Sequence, residues 1–111
     1  IDNYLFTVSE NLLICIDVDK AEIIYSHNIN EMISEYFDNK KLKKHKIYPL
    51  NINVINDGIF VFLENSYLLK FTIEGKLIEI VKFKNSIQSL PVFVKNFLFF
   101  IDKKNKILIY N

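Results

Sequence analysis

Apolar residues in this chain come in runs of four to seven, divided by short polar stretches. Residues 4–8, 12–16 and 21–25 form a first group. Residues 50–55, 59–63, 67–73 and 77–83 form a second, and 91–94, 97–101 and 106–110 a third. The runs are short and rich in Ile, Val, Phe and Tyr, which predicts β-strands and not helices. Between them lie turn formers: Glu10-Asn11, Asn56-Asp57-Gly58, Glu64-Asn65-Ser66, Glu74-Gly75-Lys76, Lys95-Asn96 and Lys103-Lys104-Asn105. Most can adopt the left-handed or turn backbone that tight hairpins need. In Leu50-Asn51-Ile52-Asn53-Val54-Ile55 apolar side chains alternate with asparagines, as in a half-buried strand. Phe97-Leu98-Phe99-Phe100-Ile101 is apolar throughout and predicts burial on both faces. A stack of sheets produces both kinds of strand.

Residues 30–37 break this pattern. Met32, Ile33, Tyr36 and Phe37 fall at i, i+1, i+4 and i+5, one face of a helix, with Asn30 as the expected cap and acids in the first turn. A short amphipathic helix is expected, followed by a basic loop over 38–46 that carries Lys40, Lys41, Lys43 and Lys44.

The strand groups repeat. Residues 4–17 slide by 55 positions onto 59–72 without a gap, and a third copy at 97–111 follows the second by 38 or 39. Pro49 and Pro91 each stand just before the first strand of their units. The natural unit is ~40 residues with four strands, the size of a β-propeller blade. The fold expected is all-β: one partial β-propeller domain of about two to three four-stranded antiparallel blades with a short helical insertion. Its blade-like units lie at about 1–27, 47–88 and 89–111, with the insertion at 28–46. Closed propellers use roughly 4–8 blades. Such a chain is either a fragment of a larger ring or assembles with further copies of itself.

Pro49, Asp57-Gly58, Thr72 and Gly75-Lys76, followed by Ser89-Leu90-Pro91, resemble the punctuation of the quinoprotein-type (PQQ-like) β-propeller repeat. Asp17, Lys20 and Glu22 are degenerate matches. The same repeat builds the propeller lipoprotein of the bacterial outer-membrane β-barrel assembly machinery. The family's Trp after Gly-Lys is absent; Tyr25 ends one such strand, and Glu79 or Ile80 stands in the other. The resemblance implies an interaction scaffold in envelope protein assembly, with a periplasmic or outer-membrane location. Its dehydrogenase members imply pyrroloquinoline quinone and calcium, held with a catalytic Asp and a vicinal cysteine pair. The alternatives are a fragment of such an enzyme, or a ligand-sensing propeller, whose site lies elsewhere.

Composition narrows the chemistry. All 14 basic residues are Lys and there is no Trp. A net charge of +1 provides no field to gather nucleic acid, and without Arg there is no bidentate grip on phosphate. The single cysteine, Cys15, excludes an intrachain disulfide and a cysteine metal cluster; in an apolar strand it reads as a small core residue. His27 and His45 are 18 residues apart with no third ligand, and both read as solvated loop residues. Asp17 and Asp19 lack the glycine and glutamate of a calcium loop and read as turn caps. No Ser or Thr sits in a nucleophile elbow. No apolar run reaches the ~18 residues of a membrane span. We therefore expect no catalytic residues, no cofactor and no metal. The surface left for a partner is Met32, Ile33, Tyr36 and Phe37 with Lys40, Lys41, Lys43 and Lys44. Partners expected are other proteins, the remaining blades, or a second copy. The helix either caps the sheets or offers that apolar face, and the lysines either solubilise the loop or meet an acidic partner.

Overall fold

The computed structural model describes residues 3–39, 41, 48–55, 57–64, 66–83, 92–94, 97–101 and 104–110. Strands β1 (Tyr4–Ser9), β2 (Leu12–Asp17) and β3 (Glu22–Asn28) lead into the helix α1 (Ile29–Phe37). Strands β4 (Pro49–Ile55), β5 (Gly58–Leu63), β6 (Tyr67–Thr72) and β7 (Leu77–Lys82) follow, then β8 (Val92–Val94), β9 (Phe97–Ile101) and β10 (Ile107–Tyr110). They pair antiparallel, each with its sequence neighbour, in three sheets: β1-β2-β3, β4-β5-β6-β7 and β8-β9-β10. Sequential pairing follows from the short turns, which return the chain beside the strand just left.

The ladders show which strand matches which. In the first sheet the register shifts between Cys15 and Ile16, and in the second between Lys70 and Phe71. One bulge at the same place identifies β2 with β6 and β3 with β7. The hairpin partners then correct the ungapped alignment by one residue in the preceding strand. Ser9 pairs with Leu12 across Glu10-Asn11, whereas the β5–β6 turn spends one residue more. Leu5, not Tyr4, therefore lies on Ile59, and Phe6 on Phe60. A one-residue slip moves every side chain to the opposite face, so the correction matters. The pairs Ile55↔Gly58 and Val94↔Phe97 align β8-β9 with β4-β5 at a shift of 39. The three sheets are overlapping windows on one blade: strands two to four, one to four, and one to three.

With this register, one face of the first sheet packs on one face of the second. Phe6, Val8, Leu13 and Tyr25 meet the rows Ile52–Val61–Leu69–Ile80 and Ile59–Phe71–Leu77. Val61, Leu69 and Phe71 are fully buried, each stabilising the fold by roughly 1.5–3 kcal/mol relative to exposure. The Tyr25 hydroxyl donates to the carbonyl of Ile73, in the turn after β6, at 2.8 Å.

The end of β2 and the end of β6 are closed by the same device. The Asp17 carboxylate accepts from the Lys20 N–H, and the Thr72 hydroxyl accepts from the Lys76 N–H. Each turn then needs a left-handed residue, supplied by Ala21 (φ 54°) and by Gly75 (φ 88°). Asp19 takes a 2.7 Å bond from the Asn3 amide. Both aspartates thus act within turns.

Candidate functional site

Helix α1 starts two residues earlier than its apolar spacing suggests. Asn28, not Asn30, is the cap: its side chain accepts from the Glu31 N–H at 3.0 Å. Asn30 is buried two residues on, its side-chain oxygen accepting from the Asn11 amide at 3.2 Å, while Asn11 O accepts from Ile29 N. These bonds fasten the helix to the β1–β2 turn. Asp38 ends the helix in left-handed backbone, with Ser34 donating to Asn39 O.

The helix divides its apolar residues. Ile29 and Ile33 enter the core and Met32 packs against it. Tyr36 and Phe37 are 47% and 49% exposed and touch edge to face, ring centroids 5.3 Å apart. Ile33 therefore serves the cap over the sheets, while Tyr36 and Phe37 stand outside it. Lys41 is exposed; Lys40, Lys43, Lys44 and His45 lie outside the described residues.

Between α1, the end of β3 and the β6–β7 turn lies an open cleft of about 410 Å³. Met32 and Leu77 give it apolar walls and Tyr36 an aromatic edge, with Glu35 and Lys76 at its rim. His27 forms part of it, which corrects its reading as a loop residue. It sits in β3, half-buried and stacked on Tyr25 at 4.7 Å with the planes 17° apart. Alternation in β3 puts Tyr25 and His27 on one face, a signal present in the sequence once 22–28 is read as a single strand. Gly75 lets the turn approach this pair. A Cβ there would stand 2.7 Å from His27 Cδ2 and 2.8 Å from Tyr25 Cε1.

The electrostatics are mild. Burial, aided by the charges of Cys15 and Glu74, pushes the Tyr25 phenol up to about 12. Burial and then Asp17 raise the Cys15 thiol as well, and Cys15 is enclosed between the sheets. Both groups are kept neutral at ordinary pH, so neither is an activated nucleophile. Among the described residues no three of His, Cys, Asp and Glu converge to hold a metal ion. Among the described residues the cleft walls combine an imidazole, a phenol, a carboxylate and an ammonium with apolar surface. Such walls can bind a side chain or small molecule.

No family model and no curated protein matches the chain. Solved structures do. The WD40 domain of SCAP from fission yeast aligns over 97% of this chain and 28% of its own length, with 15% identity and a TM-score of 0.60. The computationally designed Ika8 protein aligns over 95% of this chain and 31% of its own, at 9% identity and a TM-score of 0.48. BamB from Moraxella catarrhalis aligns over 98% and 40%, at 12% identity and a TM-score of 0.47. The chain thus spans well under half the length of each. Among the described residues no helix is long and apolar enough to cross a membrane. The WD40 likeness and the three repeated sheets agree on the fold: the chain is a partial β-propeller.

Proposed function

We propose that this chain is a non-catalytic protein-interaction scaffold, made of blade units at about 1–27, 47–88 and 89–111. The insertion over 28–46 carries the partner surface. The observation behind this reading is the division within α1. Two residues anchor the helix in the core while Tyr36 and Phe37, the aromatic pair, project from it beside a cleft. Exposed aromatics on a rigid element make anchor residues at low entropic cost. Lys40, Lys41, Lys43 and Lys44, next in sequence, bias the choice toward an acidic partner. Ile33 contributes support from beneath. Envelope protein assembly is the setting that the family resemblance implies.

A photocrosslinker at position 36, introduced in the cells that make the protein, tests this reading. The expected result is one discrete protein adduct that Phe37→Ser weakens several-fold. No adduct from a folded protein ends the reading. A ligand-sensing role is the second reading, supported by the cleft, and it expects instead that a metabolite raises the melting temperature and that Tyr36→Ala removes the shift.

A further inference from the structure

The cleft between α1, the end of β3 and the β6–β7 turn carries opposite charges on its two walls. Glu35 comes from the last turn of the helix, and Lys76 stands directly before β7. Both are exposed, and among the described residues no ion pair joins them. The rest of the lining includes Met32, Leu77, Tyr36 and the His27 ring.

Both walls are fixed before anything binds. The Lys76 N–H donates to the Thr72 hydroxyl at 3.1 Å, and its carbonyl accepts from the Thr72 N–H at 2.8 Å. These bonds pin the backbone from which the ammonium extends. The Tyr25 hydroxyl holds the same turn through Ile73 O. The helix is capped by Asn28 and tied through Asn30 to Asn11. Preformed walls spare a ligand the cost of ordering them.

The charges then select the ligand. A lone ammonium meets Glu35 but is repelled by Lys76, and a lone carboxylate or phosphate meets Lys76 but is repelled by Glu35. A molecule with one ammonium and one carboxylate a few atoms apart satisfies both walls. Met32, Leu77 and Tyr36 add contact for an apolar side chain. The volume of about 410 Å³ lies in the lower part of the range for small-ligand sites, roughly 300–1,000 Å³. A residue inside a partner's chain carries neither backbone charge, because both groups are consumed in peptide bonds.

We propose that the cleft binds a free α-amino acid with an apolar side chain, an assignment that rests on the ligand-sensing reading above and supplies its ligand class. The ammonium sits on Glu35, the carboxylate on Lys76, and the side chain lies over Met32, Tyr36 and Leu77.

Isothermal titration of the full polypeptide with phenylalanine tests this. Saturable one-to-one binding is expected. Phenethylamine and 3-phenylpropionate, which each lack one of the two charges, should bind at least about fivefold more weakly. Lys76→Met should weaken phenylalanine about fivefold without weakening phenethylamine, and Glu35→Gln should do so without weakening 3-phenylpropionate. Both side chains are exposed, so the circular dichroism stays that of the parent; Lys76→Ala and Glu35→Ala replace a variant that fails to fold. Equal binding of either single-charge analogue overturns the proposal and leaves a ligand cleft of another class. N-acetylphenylalaninamide binding as well as phenylalanine also overturns it, and gives the cleft to a residue within a partner chain. Failure of phenylalanine, leucine and methionine alike to bind overturns it too. The ligand-sensing reading falls with it only if a broad metabolite screen leaves the melting temperature unmoved.

Discussion

Leu5–Ile16–Ile23 in the first sheet and Ile59–Phe71–Leu77 in the second occupy the same places of one blade, beside the same bulge. Their residue types are nearly interchangeable. Ile59 and Phe71 are fully buried while Leu5 and Ile23 are mostly exposed. The difference teaches that a strand's apolar pattern states only what a face is suited to; the neighbouring sheet in the stack determines whether it is covered. Burial free energy belongs to the joint and not to the side chain alone.

Substitution can break this comparison at its strongest point. Phe71→Ala should cost about 3–5 kcal/mol of stability, the usual loss for a buried aromatic in a core that cannot collapse, read from urea unfolding. Equal destabilisation by Ile23→Ala in dilute protein would show that the first row is covered after all.

Gly75→Ala comes next. The left-handed backbone and the 2.7 Å approach to His27 act together, and a loss of about 2–4 kcal/mol is expected from strain and displaced packing. Ala21→Gly, at the matching turn of the first sheet, should instead be neutral or mildly stabilising, since a residue already in left-handed backbone gains from losing its Cβ. Thermal melts of the two variants check the pair.

Tyr25→Phe should cost about 1 kcal/mol through the lost bond to Ile73 O. It also carries a pH signature. The folded-state phenol titrates near 12, above the ordinary value of 10.0. Its neutral form is favoured by the fold, so its contribution is whole below about pH 10 and fades as pH rises from about 10 to 12. Melting temperatures across that window should fall less steeply in Tyr25→Phe than in the parent.

The smallest effects belong to the edges. Asn28→Ala should remove about 1 kcal/mol with the helix cap, loosening Tyr36 and Phe37 while leaving the sheets intact, as hydrogen exchange of α1 would show. Ile23→Ala should lie within about 0.5 kcal/mol in dilute protein.

Most of the fold could be read along the chain. Hairpins are local: a two-residue turn such as Glu10-Asn11 between apolar runs fixes which strands pair. The repeat then disclosed blades, because each unit must reproduce the same buried rows. The register was less accessible. One extra residue in the Glu64-Asn65-Ser66 turn slips β5 against β1, and an ungapped alignment absorbs it silently. The cleft was harder still. Met32 and Tyr36 were visible as one helical face, but His27, Gly75, Lys76 and Leu77 join them from strands far apart in sequence. Asn30 looked like the cap by spacing, until the tie from Asn11 pulled it under the helix and left the capping to Asn28.

The sequence by itself determined strand, turn and helix, since each depends on backbone preferences and side-chain periods over a few residues. Tertiary structure alone decided which face of each sheet lies in the core and which stands bare, that Ile33 goes inward while Tyr36 and Phe37 do not, and that His27 meets the Gly75 turn. Those outcomes depend on contacts between segments some 50 residues apart, and the local pattern is satisfied equally well by a covered face or an open one.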